Sequence, residues 1–360
     1  MSNFEVYEIV NILGFLLGLA FGAVAQKNQF CFSGSIKDYI LTKSTMRGSS
    51  VVVAMLIGII STFFVSSIYE LDLTQTVYYK DNINYFAIII GGLLFGVGMM
   101  LSDGCSNRHL IKFAQGDINS LIVLVFIAIF GYSTAKGFMG EILNPLIINN
   151  ETLINLSSYI GNVSMNIYVV SILLLILLYI LVKKIKRLPS LWDGVILGLF
   201  VGASWYITGV IGEESMERVI ELTGITFVYP AAKTMEFFTY YQISELTFAI
   251  SLVFGVLAGA FLMAKVNRRY SFGCTATKGQ HKVKYNIIGG SLMGTGGIMA
   301  IGCTVGQGLT GMSTLAFSSL VAIVSIFISA TITALIMNKK NKLPMCFIFE
   351  WKDNTPDYQI

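Results

Sequence analysis

Long apolar runs recur along the chain, each bounded by charged or turn-forming residues. Nine of them approach the roughly 20 residues that a helix needs to cross about 30 Å of hydrocarbon. They cover 9–26, 48–68, 85–101, 117–137, 164–182, 190–210, 244–264, 285–302 and 312–337. The pattern predicts an all-α integral membrane protein of about nine transmembrane helices, and no segment between the runs is long enough for a separate soluble domain. The first run has no basic residue before it and continues into further spans, so it reads as a retained helix rather than a cleaved signal peptide. Three shorter apolar pieces, 31–41, 106–114 and 303–309, fit no crossing. They are candidates for short re-entrant helices, whose backbone is tolerated at membrane depth where it lines a cavity inside the protein.

The basic residues orient this pattern. Lys27, Lys37, Lys43 and Arg47 follow the first run, and Arg108 and Lys112 follow the third. Lys183, Lys184, Lys186 and Arg187 follow the fifth, Lys265, Arg268, Arg269, Lys278, Lys282 and Lys284 the seventh, and Lys339, Lys340 and Lys342 the last. The even-numbered exits carry little beyond Lys80, Lys136, Arg218 and Lys233, and the longest is acidic, with Glu213, Glu214, Glu217, Glu221 and Glu236. The positive-inside rule then predicts a multi-pass protein of the inner (cytoplasmic) membrane, N-terminus outside and C-terminus cytoplasmic.

The chain also repeats itself. Gly91, Gly92, Gly96, Gly98, Gly104 and Cys105 match Gly289, Gly290, Gly294, Gly296, Gly302 and Cys303 at a constant offset of 198. Gly14, Gly18 and Gly22 are echoed by Gly194, Gly198 and Gly202 at an offset of 180. The difference fits the longer acidic loop of the second half. Spans one to four thus correspond to spans six to nine, and the five crossings between equivalent points invert one half against the other. The expected organisation is a first transmembrane repeat (1–140), a connector with the fifth transmembrane helix (141–188), a second inverted repeat (189–338) and a cytoplasmic tail (339–360). Such two inverted four-helix repeats, joined by a connector helix, place a substrate site near the midplane between broken helices.

Composition agrees with a bilayer. The chain is 55% hydrophobic and 12% charged, with a mean hydropathy of +0.73 and a net charge of +4. Its basic residues lack the aromatic interleaving of a nucleic-acid surface, so no nucleic-acid partner is expected. There is no Ser/His/Asp set and no glycine-rich phosphate loop after a strand, and two histidines make no metal cage, so neither catalysis nor a cofactor is expected. The five cysteines are an odd number without a Cys-x-x-Cys pair, and read as free thiols.

The glycine ladders suit close helix packing. Gly104 and Gly302 each precede a cysteine where an apolar run ends, a place where the chain turns and leaves backbone N–H groups free to face an anion. Cys105 and Cys303 occupy equivalent positions in inverted halves and are expected to approach each other near the pseudo-two-fold axis. Cys31 lies at another break; Cys274 has similar surroundings but no partner in the first half, and Cys346 lies in the polar tail. Arg108, His109 and Lys112 are expected on a short helix at the cytoplasmic side, as an orienting signal or as a positive vestibule for an anion. Asp103 reads as a cap for that helix; Ile301 stands at the equivalent place, and Asp103 receives no role. Trp192 reads as an interfacial anchor.

The paired Gly-x-Gly and Gly-Cys segments, with Cys31-Phe32-Ser33-Gly34 and the Ile36-Lys37-Asp38 that follows, resemble the YeeE/YedE family of sulfur-compound transporters. The resemblance spans about 14–330 and is most specific over 289–311. It implies thiosulfate uptake through a narrow constriction lined by Cys31, Cys105 and Cys303. The chemistry fits: the terminal sulfur of thiosulfate is large and polarisable, and a thiol is a weak S–H donor with a soft sulfur. A throat of thiols recognises that end without gripping it, as conduction requires. The lipid bilayer and a cytoplasmic sulfur-carrier protein are the candidate partners. Open alternatives are a selenium compound as cargo, a membrane thiol-redox or sulfur-transfer enzyme working between Cys105 and Cys303, and a channel for a neutral molecule.

Overall fold

The computed structural model describes residues 5–79, 83–148, 164–183, 191–215, 218–240, 246–272 and 283–343. Apart from an isolated bridge between Ser164 and Ala316, the described residues form helices and connections without strands. The helices are α1 (Val6–Asn28), α2 (Phe32–Thr42), α3 (Met46–Tyr69), α4 (Tyr85–Leu101), α5 (Ser106–Ala114), α6 (Ile118–Lys136) and α7 (Phe138–Ile148). They continue with α8 (Ile167–Lys183), α9 (Trp192–Trp205), α10 (Val228–Tyr240), α11 (Phe248–Val266), α12 (Val283–Met299) and α13 (Phe317–Lys339). Two wider π turns, Tyr206–Ile211 and Gly306–Gly311, follow α9 and the break after α12.

Each of the nine apolar runs contains helix among its described residues. Among the described residues seven stretches are long and apolar enough to cross a membrane: Val6–Thr42, Met46–Tyr69, Tyr85–Ala114, Ile118–Lys136, Trp192–Ile211, Phe248–Val266 and Phe317–Lys339. α8 and α12 have 17 described residues each, about 25 Å of helix. The short helix α5 has the expected bounds. α7 and α10 were not among the expected runs; α10 carries Pro230 in its first turn, where a missing N–H costs no helical bond.

Packing is set by glycine. α1 lies along α11 so closely that a Cβ at Gly18 would come within 2.2 Å of the Leu252 carbonyl oxygen, and one at Gly22 within 2.2 Å of that of Val256. The facing glycines behave alike: a Cβ at Gly255 would meet the Phe15 oxygen at 2.2 Å, and one at Gly259 the Leu19 oxygen at 2.0 Å. α9 seats on α3 in the same manner, with Gly194 over the Ser50 oxygen and Gly198 over that of Ala54. Each of these pairs keeps its residue order along both helices, so the partners run parallel. α4 and α12 cross the other way. Gly91 abuts Gly296, while Gly98 abuts Gly289, with added-Cβ distances of 2.5 to 2.8 Å to the facing carbonyl oxygens. In hydrocarbon, where apolar burial drives no helix association, backbones this close gain dispersion contact and Cα–H···O bonds.

Candidate functional site

Three helices break, and a cysteine stands at each break. α1 ends at Gln29 in the left-handed region (φ 57°), and the extended Cys31 then caps α2, its Sγ accepting the Gly34 N–H at 3.3 Å. After α4, the Ser102 N–H donates to Gly98 O (3.0 Å), Asp103 turns left-handed (φ 69°) and the Gly104 N–H donates to Met99 O (3.0 Å). After α12 the same bonds recur 198 residues on: Ala300 N–H to Gly296 O (2.9 Å), Ile301 left-handed (φ 57°), and Gly302 N–H to Gly297 O (2.8 Å). The N–H groups of Gly104 and Gly302 are therefore taken up inside the break. These two N–H groups are not among those left free at the turn, because a left-handed residue closes the helix by turning the next N–H back onto the last turn.

Cys303 repeats the cap of Cys31, its Sγ accepting the Gly306 N–H at 3.3 Å. Cys105 holds the N-cap place of α5 without a side-chain cap bond. Its thiol neighbours that of Cys31, the Arg108 N–H of α5 and Thr304, the residue after Cys303. All three cysteines are buried and unbridged. The breaks also pack on one another: a Cβ at Gly308 would come within 2.8 Å of the Phe32 ring, and Tyr78, from the connection before α4, donates its hydroxyl to Gly306 O at 2.9 Å. Burial pushes the Tyr78 phenol above its ordinary range and that of Tyr79 up to about 12, so both are neutral donors. Sequence symmetry singled out Cys105 with Cys303; the thiol that neighbours Cys105 is that of Cys31, from the same half. Cys274 and Cys346 lie outside the described residues.

Around the thiols the polar groups are buried. Ser106 Oγ, Asn107 Oδ1 and Gln307 Oε1 are enclosed oxygens with no hydrogen-bond partner among the described residues. Arg108, His109 and Lys112 are each less than 5% exposed, so they do not form the surface signal that basic residues past a helix end usually make. His109 sits between Ser120 Oγ (3.1 Å) and Ser102 Oγ (3.3 Å). Asp103 does not cap α5. Its carboxylate pairs with Lys37 of α2 and, at 2.7 Å, with Lys112 of α5, which also donates to the Asp103 carbonyl at 2.9 Å. Arg47 pairs with Asp38 at 3.3 Å. Lys37, Arg47, Arg108 and Lys112 thus stand near two carboxylates, a local excess of two positive charges among the described residues.

A helical protein with several membrane-length segments, built around broken helices whose ends meet at a buried polar centre, belongs to the class of multi-pass solute transporters. The chain is a member of the sulphur transport family, whose sequence profile matches residues 27–332. It is similar to the thiosulfate transporter TsuA of Escherichia coli K12, at 24% identity over 323 residues, covering 82% of this chain and 86% of that protein. TsuA of Spirochaeta thermophila matches at 24% over 327 residues, 86% of this chain and 93% of its own length. A probable transporter of E. coli K12, YedE, matches at 26% over 107 residues, 30% of this chain and 25% of its own. These relatives are named as transporters, in agreement with the reading of this chain as a carrier and not an enzyme.

Proposed function

We propose that the protein takes up thiosulfate across the cytoplasmic membrane through a constriction formed by Cys31, Cys105 and Cys303, bordered by Gly104 and Gly302. The observation that carries this reading is the approach of three cysteine-bearing breaks at one buried point, with Cys105 neighbouring both Cys31 and Thr304, the residue after Cys303. A dianion needs positive potential to enter low-dielectric surroundings, and Arg108 and Lys112, with Lys37 and Arg47, provide it. It must also leave. Thiols give weak S–H donors where an exposed ammonium would hold the anion too long.

Inverted repeats support the same reading. α4 and α12 are equivalent in sequence, cross antiparallel, and exchange their glycines reciprocally, Gly91 to Gly296 and Gly98 to Gly289. The cross-half pairs obey the two offsets together: Gly18 on Leu252 corresponds to Gly198 on Ala54. In this arrangement α8 and α12 complete nine crossings, residues 1–140 and 189–338 form the halves with 141–188 between them, and 339–360 is cytoplasmic, where a sulfur-carrier protein would receive the cargo.

The test is uptake of isotopically labelled thiosulfate by proteoliposomes holding the purified chain, with sulfate and selenium oxyanions as competitors. Saturable uptake inhibited by unlabelled thiosulfate and not by sulfate is expected. Absence of uptake, alongside turnover of thiols on the same preparation, would replace transport by thiol chemistry.

A further inference from the structure

Asp103 has no part in the transport path described above, yet it is the most heavily committed side chain near the thiols. It is 6% exposed and sits between two ammonium groups that are themselves 8% and 2% exposed. One of them, Lys37, lies on the helix that Cys31 caps; the other, Lys112, lies on the helix that Cys105 caps. Lys112 is two turns past Cys105, so with Arg108 it shares the face of α5 on which Cys105 stands. It grips both the carboxylate and the carbonyl of Asp103, which folds α5 back onto its own break.

The backbone does not require these charges. Ile301 adopts the same left-handed turn with the same hydrogen bonds around it, and Thr310 takes the place of Lys112 in the second half. What differs between the halves is the neighbourhood of the thiol. Cys303 bonds into its own helix, whereas Cys105, beside the Arg108 N–H of α5, also neighbours Cys31 of another helix. A cap bond fixes a thiol locally; a thiol that meets one on a different helix needs the two helices fixed to each other. Carboxylate–ammonium pairs are short and directional, and in surroundings without water they are held rather than exchanged.

We infer that Asp103 is a positioning residue: by pairing with Lys37 and Lys112 it locks α2 to α5 and so sets the gap between the thiols of Cys31 and Cys105. The functional consequence rests on the transport reading; the geometry does not, and it is tested without cargo. In a chain carrying Cys303→Ser, Cys274→Ser and Cys346→Ser, dibromobimane bridges Cys31 and Cys105 and fluoresces only when both have reacted, while a monofunctional bimane reports the accessibility of each. Asp103→Asn is expected to lower the ratio of bridging to single labelling at least fivefold, and Asp103→Glu to restore most of it. Asp103→Asn leaves two buried ammoniums, so the companion variant Asp103→Asn, Lys37→Gln removes the tether to α2 while relieving one of those charges, and the same loss of bridging is expected. Bridging at the parental ratio in either variant, eluting as the parent does in detergent, would overturn the inference.

Discussion

Asp103 and Ile301 stand 198 residues apart in one backbone conformation, φ 69° and 57°, with opposite chemistry. A left-handed residue bearing a Cβ costs about 1–2 kcal/mol, and a β-branched one is uncommon there. Its presence at both breaks means that the surrounding helices impose the turn whichever side chain occupies it. The shared turn ends a helix; the unshared carboxylate, with its lysines, belongs to the first break.

The glycine after each of these residues separates strain from obstruction. Gly302 has φ 156°, and an added Cβ would lie 3.3 Å from Gln307 Cγ; at Gly104 the nearest atom is Arg108 Cγ at 3.0 Å, on a side chain that can shift. Gly302→Ala is expected to destabilise by about 1–3 kcal/mol, and Gly104→Ala by less. Leu at either position fills the space beside the cysteine and is expected to stop uptake while insertion persists. Thermal unfolding in detergent and uptake in proteoliposomes read the two effects; normal uptake by both Leu variants would remove these glycines from the path.

Much of this was legible in the sequence, and the reason lies in periodicity. A 17-residue apolar run followed by Ser-Asp-Gly-Cys places a helix, its end and a second start, and α4 and α5 fall at 85–101 and 106–114 as read. The offset of 198 carries over to individual hydrogen bonds, because the same glycine spacing produces the same turn. Contacts between distant segments were not legible. Lys37 and Asp103 are 66 residues apart, and a basic residue past a helix end looks the same whether it faces water or a carboxylate. Asp103 opposite Ile301 was the available signal, a charge in one half where the other is apolar, and reading it as a cap missed a partner on another helix. The Cys31–Cys105 contact was hidden for the same reason.

Close packing between α1 and α11 makes Gly18 intolerant. Its Cβ would overlap the Leu252 carbonyl, which is backbone and cannot rotate away, whereas a Cβ at Gly48 meets nothing nearer than Leu181 Cδ1 at 3.8 Å. Gly18→Ala is expected to lose about 1–3 kcal/mol as the helices are forced apart, and Gly48→Ala to stay near the parent. Size-exclusion profiles and melting temperatures of the two variants check this; equal stability would mean that the interface has room that the glycine spacing denies.

Orientation follows from charge. If the positive-inside rule sets the orientation, a reporter fused after Lys342 should read as cytoplasmic and one placed in the acidic segment 213–236 as external. Both reporters on one side would put an even number of crossings between them, and the inverted arrangement of the halves would fall with it.

The thiols themselves provide the decisive case. Cys→Ser keeps a donor of similar size and replaces a soft, polarisable atom with a hard one, so it tests sulfur and not space. Cys105 neighbours both Cys31 and Thr304, and a serine there keeps an acceptor for the start of α5, so its replacement acts on the constriction. Uptake by Cys105→Ser is expected to fall strongly, because the hydroxyl keeps the donor but not the soft sulfur contact. Cys303→Ser and Cys31→Ser should fall similarly without loss of the helix cap, since a serine oxygen accepts the N–H that each sulfur now accepts. Cys346→Ser should change little. A thiol-specific reagent should inhibit uptake, and saturating thiosulfate should slow its reaction at these three positions if the substrate occupies the same space. The double variant Cys105→Ser, Cys303→Ser decides the matter: thiosulfate uptake at the parental rate would show that the cargo passes without touching sulfur, whatever family the chain belongs to.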